Sequence, residues 1–171
     1  MNPIKKLDYG LMKAEEFILS FAIIAIFVLV TGNALSRRFL GTSWPFSSEL
    51  AEAFVYLATF MGISYAARKG RHIRMSAFFD IAPYKVKKAL SIIIPFVTAL
   101  VLFALAYYSL GYLEQTTNRV TTALRLPYYI ILLPVPVGLT LGGLQFLRNM
   151  WINIIEKEIY IGTEMKESDR E

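Results

Sequence analysis

Apolar runs without a charged residue divide the chain into four blocks, at residues 17–36, 53–67, 89–113 and 126–147. A helix that crosses a bilayer needs about 20 mostly apolar residues, so the first, third and fourth runs are long enough. The second run reaches that length only when Glu49 and Glu52 form its first turns, in the membrane interface. The pattern predicts an all-α integral membrane protein with four transmembrane helices, over about residues 16–36, 46–67, 89–113 and 126–149.

Two further segments have apolar residues at the helical spacing that is typical of short helices lying along a membrane surface. The first follows the second span and contains Met75, Phe78, Phe79, Ile81 and Ala82, with Pro83 at its expected end. The second follows the fourth span and contains Trp151, Ile152, Ile154, Ile155, Ile159 and Tyr160. This second segment is equally consistent with a continuation of the fourth span. We expect a polar C-terminal tail at residues 162–171, disordered from residue 164 onwards.

The composition agrees with a membrane protein that forms one domain, residues 1–171. Hydrophobic residues make up 56% of the chain, more than ordinary soluble domains contain. The first run is longer than the apolar part of a secretory signal peptide, and no small-residue cleavage site follows it, so we expect a retained helix. The chain contains no cysteine, which excludes disulfides, iron–sulfur clusters and thiol catalysis.

Lysine and arginine are distributed unequally between the two sides of the predicted bundle. Fourteen of them flank the N-terminus, the second loop and the C-terminal tail. The other side has four, which are Arg37, Arg38, Arg119 and Arg125. Because cytoplasmic flanks carry the excess of positive charge, both termini and the second loop are predicted to be cytoplasmic. The basic residues border spans, which favours contacts with anionic phospholipids over nucleic-acid binding.

The middles of the four spans lack Asp, Glu, Lys, Arg and His, the residues that transport and catalysis inside a membrane usually require. A membrane cytochrome needs paired haem-ligating histidines, and His72 is the only histidine in the chain. A hydrolase needs a nucleophile beside an activating base, and no such pair is visible. We therefore expect no catalytic residue, metal or cofactor, and a bundle that works by packing against another protein.

The fourth span contains a pair of glycines suited to close helix packing. Gly138 and Gly142 are four residues apart, so they lie on one helix face, where small residues let two backbones approach. Three prolines within spans predict kinks or local unwinding, at Pro95, Pro134 and Pro136.

Two groups of residues bracket the second span. Before it come Arg37, Arg38, Trp44 and Glu49, and after it comes the basic run at residues 68–74. Each part has an ordinary explanation. A tryptophan belongs to the aromatic belt at a membrane interface, acidic residues suit the first turns of a helix, and Ser47 or Ser48 is a candidate N-cap. The basic run satisfies the charge bias described above.

Together, and in this order, the two groups resemble the small membrane subunit of tripartite ATP-independent periplasmic (TRAP) transporters, the DctQ-like family. In that family an Asn and an Arg close the first span, a Trp and an acidic run open the second, and Arg-x-Gly-x-His-Ile follows it. The matching positions here are Asn33, Arg37 or Arg38, Trp44, Glu49, Gly70, His72, Ile73 and Met75. Ser48 departs from a common acidic pair, and Ser76 replaces a usual acidic residue.

The resemblance implies a scaffold subunit in the bacterial inner membrane that pairs with a large permease subunit. The large subunit is understood to hold the substrate and sodium sites. A periplasmic binding protein would deliver the substrate, an organic acid such as a C4-dicarboxylate or a sialic acid. The alternatives are a four-span assembly or biogenesis factor without a transport role, and an autonomous small-molecule exporter.

Two sets of candidate site residues follow. The candidate subunit interface consists of Arg38, Trp44, Glu49, Glu52, Gly138 and Gly142, with Arg and Glu expected to pair within or across chains. The candidate cytoplasmic contact with phospholipid or a partner consists of Arg68, Gly70, Arg71, His72 and Arg74. Gly70 is expected to supply a backbone turn with positive φ.

Overall fold

A computed structural model of the chain describes residues 3–70 and 82–163. Five helices occupy these ranges: α1 Pro3–Phe39, α2 Pro45–Arg68, α3 Tyr84–Gln115, α4 Tyr128–Leu132 and α5 Pro134–Ile155. Four stretches are long and apolar enough to cross a membrane, namely Gly10–Phe39, Pro45–Arg68, Tyr84–Gln115 and Tyr128–Ile155. The fourth stretch combines α4 and α5. The prediction of an all-α membrane protein with four spanning helices is confirmed.

The long helices pack as a row rather than as a closed ring. The main contacts join α1 to α2, α2 to α5, and α5 to α3, while the short α4 touches α2 and α3. In the fourth span, half of an apolar stretch of 18 residues is buried inside the chain. In the first span the buried share of such a stretch is 6%. The helices α2 and α5 are therefore the two inner members of the row, the fourth span is the most buried of the four, and α1 at the edge presents most of its surface outwards.

Glycines in α5 allow its close approach to both neighbours. A Cβ atom at Gly138 would lie 2.3 Å from the carbonyl oxygen of Phe60 in α2. A Cβ at Gly142 would lie 2.7 Å from the Ile63 side chain, and one at Gly143 would lie 2.9 Å from the Phe103 ring of α3. The predicted small-residue contact therefore exists, but it joins helices of this chain. Because Gly138 and Gly142 face α2 and are buried there, neither is available for the expected contact with another subunit.

The prolines affect the spans differently. The fourth span is interrupted at Leu133, between the end of α4 and the start of α5 at Pro134. A proline has no N–H to donate to the preceding turn, which explains the break. In contrast, α3 continues through the buried Pro95 without interruption.

The segment after the fourth span differs from either expectation over part of its length. The helix α5 continues to Ile155, as expected if this segment extends the fourth span. Ile159 and Tyr160, however, lie in a non-helical segment that follows. The expected interfacial helix from Met75 to Ala82 lies mostly outside the described residues, and the tail at 164–171 lies wholly outside them.

Candidate functional site

Trp44 joins the end of α1 to the start of α2. Its backbone N–H donates to Oδ1 of Asn33 at 2.8 Å. Its indole ring lies against Gly32, where a Cβ atom would come within 2.8 Å of the ring, and stacks on the ring of Phe46. These contacts fix the turn between the two helices. We call this side of the molecule, with residues 33–52 and 116–128, the Trp44 end.

The start of α2 has no side-chain cap. Trp44 occupies the N-cap position and Pro45 the first helical position, where the missing N–H of a proline leaves nothing unsatisfied. The expectation that Ser47 or Ser48 caps this helix is wrong, because the helix begins before both serines. The backbone N–H of Ser47 instead donates to the carbonyl of Trp44 at 3.1 Å.

Glu49 holds the loop between α3 and α4. Its two carboxylate oxygens accept hydrogen bonds from the backbone N–H groups of Ala123, at 2.6 Å, and Leu124, at 2.9 Å. Within the described part of the chain, the Glu49 carboxylate is therefore bound by backbone N–H groups rather than by an arginine, and pairing across chains stays a prediction. Arg38 lies exposed near the end of α1.

The loop that Glu49 holds has hydrogen bonds of its own, and we call residues 116–127 the hairpin. The N–H of Thr121 donates to the carbonyl of Leu126 at 2.8 Å, and the N–H of Leu126 returns a bond to the Thr121 hydroxyl at 3.0 Å. The N–H of Tyr128 donates to the carbonyl of Arg119 at 2.9 Å. Glu52 adds a second tie from α2, since its carboxylate accepts from the Tyr128 hydroxyl.

Replacing Glu49 with glutamine is expected to loosen the hairpin. The amide has only one oxygen, and its NH₂ group would face a backbone N–H that had donated to the carboxylate, so one donor loses its bond. Limited trypsin digestion measures the effect, because the hairpin contains cleavage sites at Arg119 and Arg125. We expect several-fold faster cleavage there in Glu49→Gln.

The matched control for that digestion is Glu114→Gln, which changes an exposed carboxylate near the end of α3. Its cleavage rate should equal that of the unchanged chain. Equal rates in all three proteins would show that the Glu49 carboxylate does not hold the hairpin.

A buried ion pair lies at the opposite side of the molecule. The Arg68 guanidinium is 3.6 Å from the carboxylate of Glu15, and the two side chains are 0% and 2% exposed. Oε1 of Glu15 also accepts a hydrogen bond from the Ser64 hydroxyl at 2.6 Å. Ser64 and Arg68 are four residues apart and share one face of α2. This cluster joins the first part of α1 to α2. We call this side of the molecule the Arg68 end.

Residues 156–163 cover the Arg68 end, and we call them the strap. Two buried asparagines of α5 hold it. The Nδ2 group of Asn149 donates to the carbonyl of Ile161 at 3.0 Å. Asn153 both accepts from the N–H of Tyr160 and donates to its carbonyl, each at 2.9 Å. These bonds turn the chain back along α5, which explains why the helix does not continue through Tyr160.

The strap also contacts the turn after α2. Gly70 has a φ of +63°, the left-handed conformation expected for it. A Cβ atom at Gly162 would lie 2.4 Å from the backbone nitrogen of Gly70 and 2.6 Å from the carbonyl oxygen of Arg68. From the start of α3, Nζ of Lys88 donates to the carbonyls of Glu156 and Glu158 at 2.7 and 2.8 Å.

The two ends place the candidate residues very differently. Trp44, Glu49 and Glu52 come together at the Trp44 end, with their polar groups bonded within the chain. Arg68 is buried under the strap, so its guanidinium does not reach lipid. This differs from the contact with phospholipid or a partner that the sequence predicts. Arg71, His72 and Arg74 lie outside the described residues.

The sequence does not reveal Glu15 as a structural residue. It lies just before the first charge-free run, where it resembles ordinary flanking charge, like its exposed neighbour Glu16. The only signal is its position one residue before the predicted span at 16–36, together with the polar Ser64 four residues before Arg68 in the second span.

Comparison with known proteins gives matches to components of one kind of transporter. Residues 26–155 match the family model of tripartite ATP-independent periplasmic transporters, DctQ component. The ectoine TRAP transporter small permease protein TeaB of Halomonas elongata is 36% identical over 161 residues, which cover 93% of this chain and 83% of TeaB. The sialic acid TRAP transporter permease protein SiaT of Haemophilus influenzae is 22% identical over 149 residues, 87% of this chain and 24% of SiaT.

Proposed function

Because the chain belongs to the DctQ family of TRAP transporter components, we propose that it is a scaffold subunit that supports a large permease subunit and carries no substrate site of its own. It is a multi-pass membrane transport protein and not an enzyme. The observation that supports the scaffold role is where its charged groups lie. Glu15, Arg68 and Glu49 hold helices and loops of the chain together near the ends of the spans.

The proposed partner in the membrane is the large permease subunit. The surface of α1 supports this proposal, since only 6% of its apolar 18-residue stretch is buried within the chain. Within the chain, α1 packs mainly on α2. We propose that the Trp44 end forms part of the contact through exposed Arg38. Trp44, Glu49 and Glu52 would contribute indirectly, since their bonds within the chain set the shape of that end.

We propose that both termini face the cytoplasm and that the protein lies in the bacterial inner membrane. The support is the excess of fourteen basic residues over four. In this orientation the Trp44 end faces the periplasm and the Arg68 end, with its strap, faces the cytoplasm.

The proposed transport reaction is the sodium-coupled import of an organic acid that a periplasmic binding protein delivers. The narrower choice of a sialic acid or a C4-dicarboxylate is not supported by TeaB, which is named for ectoine. SiaT, at lower identity, is named for sialic acid. Ectoine, sialic acid and a C4-dicarboxylate therefore belong together in a substrate panel.

Co-purification tests the proposal. The tagged chain, extracted in mild detergent, is expected to co-purify with a large multispan permease. When the two proteins are placed in liposomes and a binding protein and a sodium gradient are supplied, they should take up one substrate of the panel. Arg38→Ala should reduce recovery of the large subunit, whereas Lys85→Ala, at the other end, should not. Recovery of an unrelated complex would favour an assembly factor, and uptake by this chain alone would favour an exporter; either result contradicts the scaffold role.

A further inference from the structure

The fourth span has a weak point near the Trp44 end, at the junction between α4 and α5. Pro134 and Pro136 have no N–H groups, so the carbonyls of residues 130 and 132 cannot accept the hydrogen bonds that a continuous helix would give them. Leu133 itself keeps helical dihedral angles, with a φ of −55° and a ψ of −34°. The span therefore keeps its course through the junction but lacks two of the bonds that stiffen a helix. Missing bonds of this kind are a usual cause of bending in helices.

Little apolar packing holds the segment before this junction. We call residues 116–132, the hairpin together with α4, the cap. Across the hairpin, all of which the structure describes, two side chains are buried, and both are threonines, Thr116 and Thr121. The helix α4 buries two apolar side chains, Ile131 and Leu132. Segments with few buried apolar contacts open more readily than the rest of a protein.

Two carboxylates of α2 join the cap to the row of helices. Glu49 accepts from the backbone N–H groups of residues 123 and 124, and Glu52 accepts from the Tyr128 hydroxyl. The two glutamates are three residues apart, so they lie on one face of α2. Hydrogen bonds to an ionised acceptor are stronger than those between neutral groups. One carboxylate holds the hairpin and the other holds the start of α4, so together they hold the whole cap.

We propose that the cap is a hinged unit, which swings at Leu133 when Glu49 and Glu52 release it, while the four long helices stay packed as a row. The close glycine contacts of α5 support this division, because all of them lie beyond the hinge, at residues 138, 142 and 143. The fold thus combines a rigid body with one movable end. A scaffold of this kind can follow a partner that moves against the Trp44 end without separating its spans. The hinge is a property of this chain and does not depend on the function proposed above.

The distance between two spin labels on the same span tests the hinge. The chain contains no cysteine, so the exposed positions Ile130→Cys in α4 and Leu144→Cys in α5 are labelled specifically. Their Cα atoms lie about 21 Å apart along a continuous helix. For the full chain in lipid nanodiscs we expect one narrow distance distribution. Glu49→Ala combined with Glu52→Ala should widen it about twofold, because the cap then adopts more than one orientation.

Two further variants separate the hinge from the carboxylates. Adding Pro134→Ala and Pro136→Ala to the double variant supplies both missing N–H groups and should return the distribution to its original width. Glu114→Ala changes an exposed carboxylate near the end of α3 and should leave the width of the unchanged chain.

A reference pair reports the row itself. Labels at Leu105→Cys in α3 and Leu144→Cys in α5, both exposed, should keep one distance in every variant. A change in this reference distance would contradict the proposal, because the carboxylates would then hold the row as a whole.

Two results at the hinge would overturn the proposal. One is an unchanged width when both carboxylates are removed, and the other is a widened distribution that persists when both prolines are replaced. Failure of the chain to recover a large permease would overturn the proposed function alone and would leave these distances as they are.

Discussion

Replacing Arg68 with methionine is expected to destabilise the folded chain by about 3–5 kcal/mol, the usual effect of removing one member of a buried ion pair. The substitution leaves the Glu15 carboxylate 2% exposed without its cation, while the Ser64 hydroxyl remains its hydrogen-bond donor. Thermal or denaturant unfolding in one fixed detergent measures the loss. We also expect faster proteolysis of α1, because α1 packs mainly on α2 and this pair holds its first part there.

A second substitution separates the lost charge from the lost side chain. Glu15→Gln combined with Arg68→Met should recover most of the stability, since a neutral amide still accepts the Ser64 bond and no buried charge is left unpaired. Glu16→Gln is the matched control, because Glu16 is the exposed neighbour that pairs with Lys13 at 2.8 Å. Surface pairs contribute little, so this control should unfold like the unchanged chain. A double variant no more stable than Arg68→Met would show that the pairing of charges is not what stabilises this end.

Gly138→Ala is expected to disrupt the contact between α2 and α5, with a loss of about 3 kcal/mol or more, the upper end of the effects of overpacking. The new Cβ atom would lie 2.3 Å from the carbonyl oxygen and 2.4 Å from the carbonyl carbon of Phe60. Both neighbours are backbone atoms, so no side-chain rotation relieves the overlap, and the two helices must separate. Thermal unfolding in detergent measures this effect as well.

Gly111→Ala is the matched control for that experiment. Gly111 lies in α3, and a Cβ atom added there would have no neighbour within 4 Å outside its own helix turn, so the methyl group has room. We expect equal stability or a gain of about 0.5–1 kcal/mol, since alanine favours helix over glycine. If the two alanine variants unfold alike, close packing at Gly138 does not support the row of helices.

The sequence was sufficient for the spans and insufficient for their arrangement. Charge-free runs locate spanning helices because unpaired charge is costly in lipid, a property of each segment alone. Which helix packs against a small residue depends on the arrangement of all the spans, not on one segment alone. Gly138 predicted a close helix contact, but its neighbour Phe60 became known only with the order of the row.

The same distinction applies to the acidic residues. Glu49 and Glu52 are recognisable at the start of the second span, but their partners are a backbone turn more than 70 residues later and the hydroxyl of Tyr128. A carboxylate accepts from any donor within reach, so its residue type does not distinguish an arginine from a backbone N–H. Glu15 is not recognisable for a related reason, because a carboxylate next to a charge-free run has the same sequence context whether water or Arg68 faces it.

The strap has a consequence for the order of events during synthesis. Thr163, whose hydroxyl donates to the carbonyl of Arg68, follows that arginine by 95 residues. At the usual pace of translation, about 5–20 residues per second, roughly 5–20 seconds separate the two on the ribosome. Throughout that interval, α1 and α2 are already synthesised while the strap that covers Arg68 has yet to be made. The pair α1 and α2 therefore reaches its final state only after the strap, whose Thr163 lies 95 residues beyond Arg68, has been synthesised.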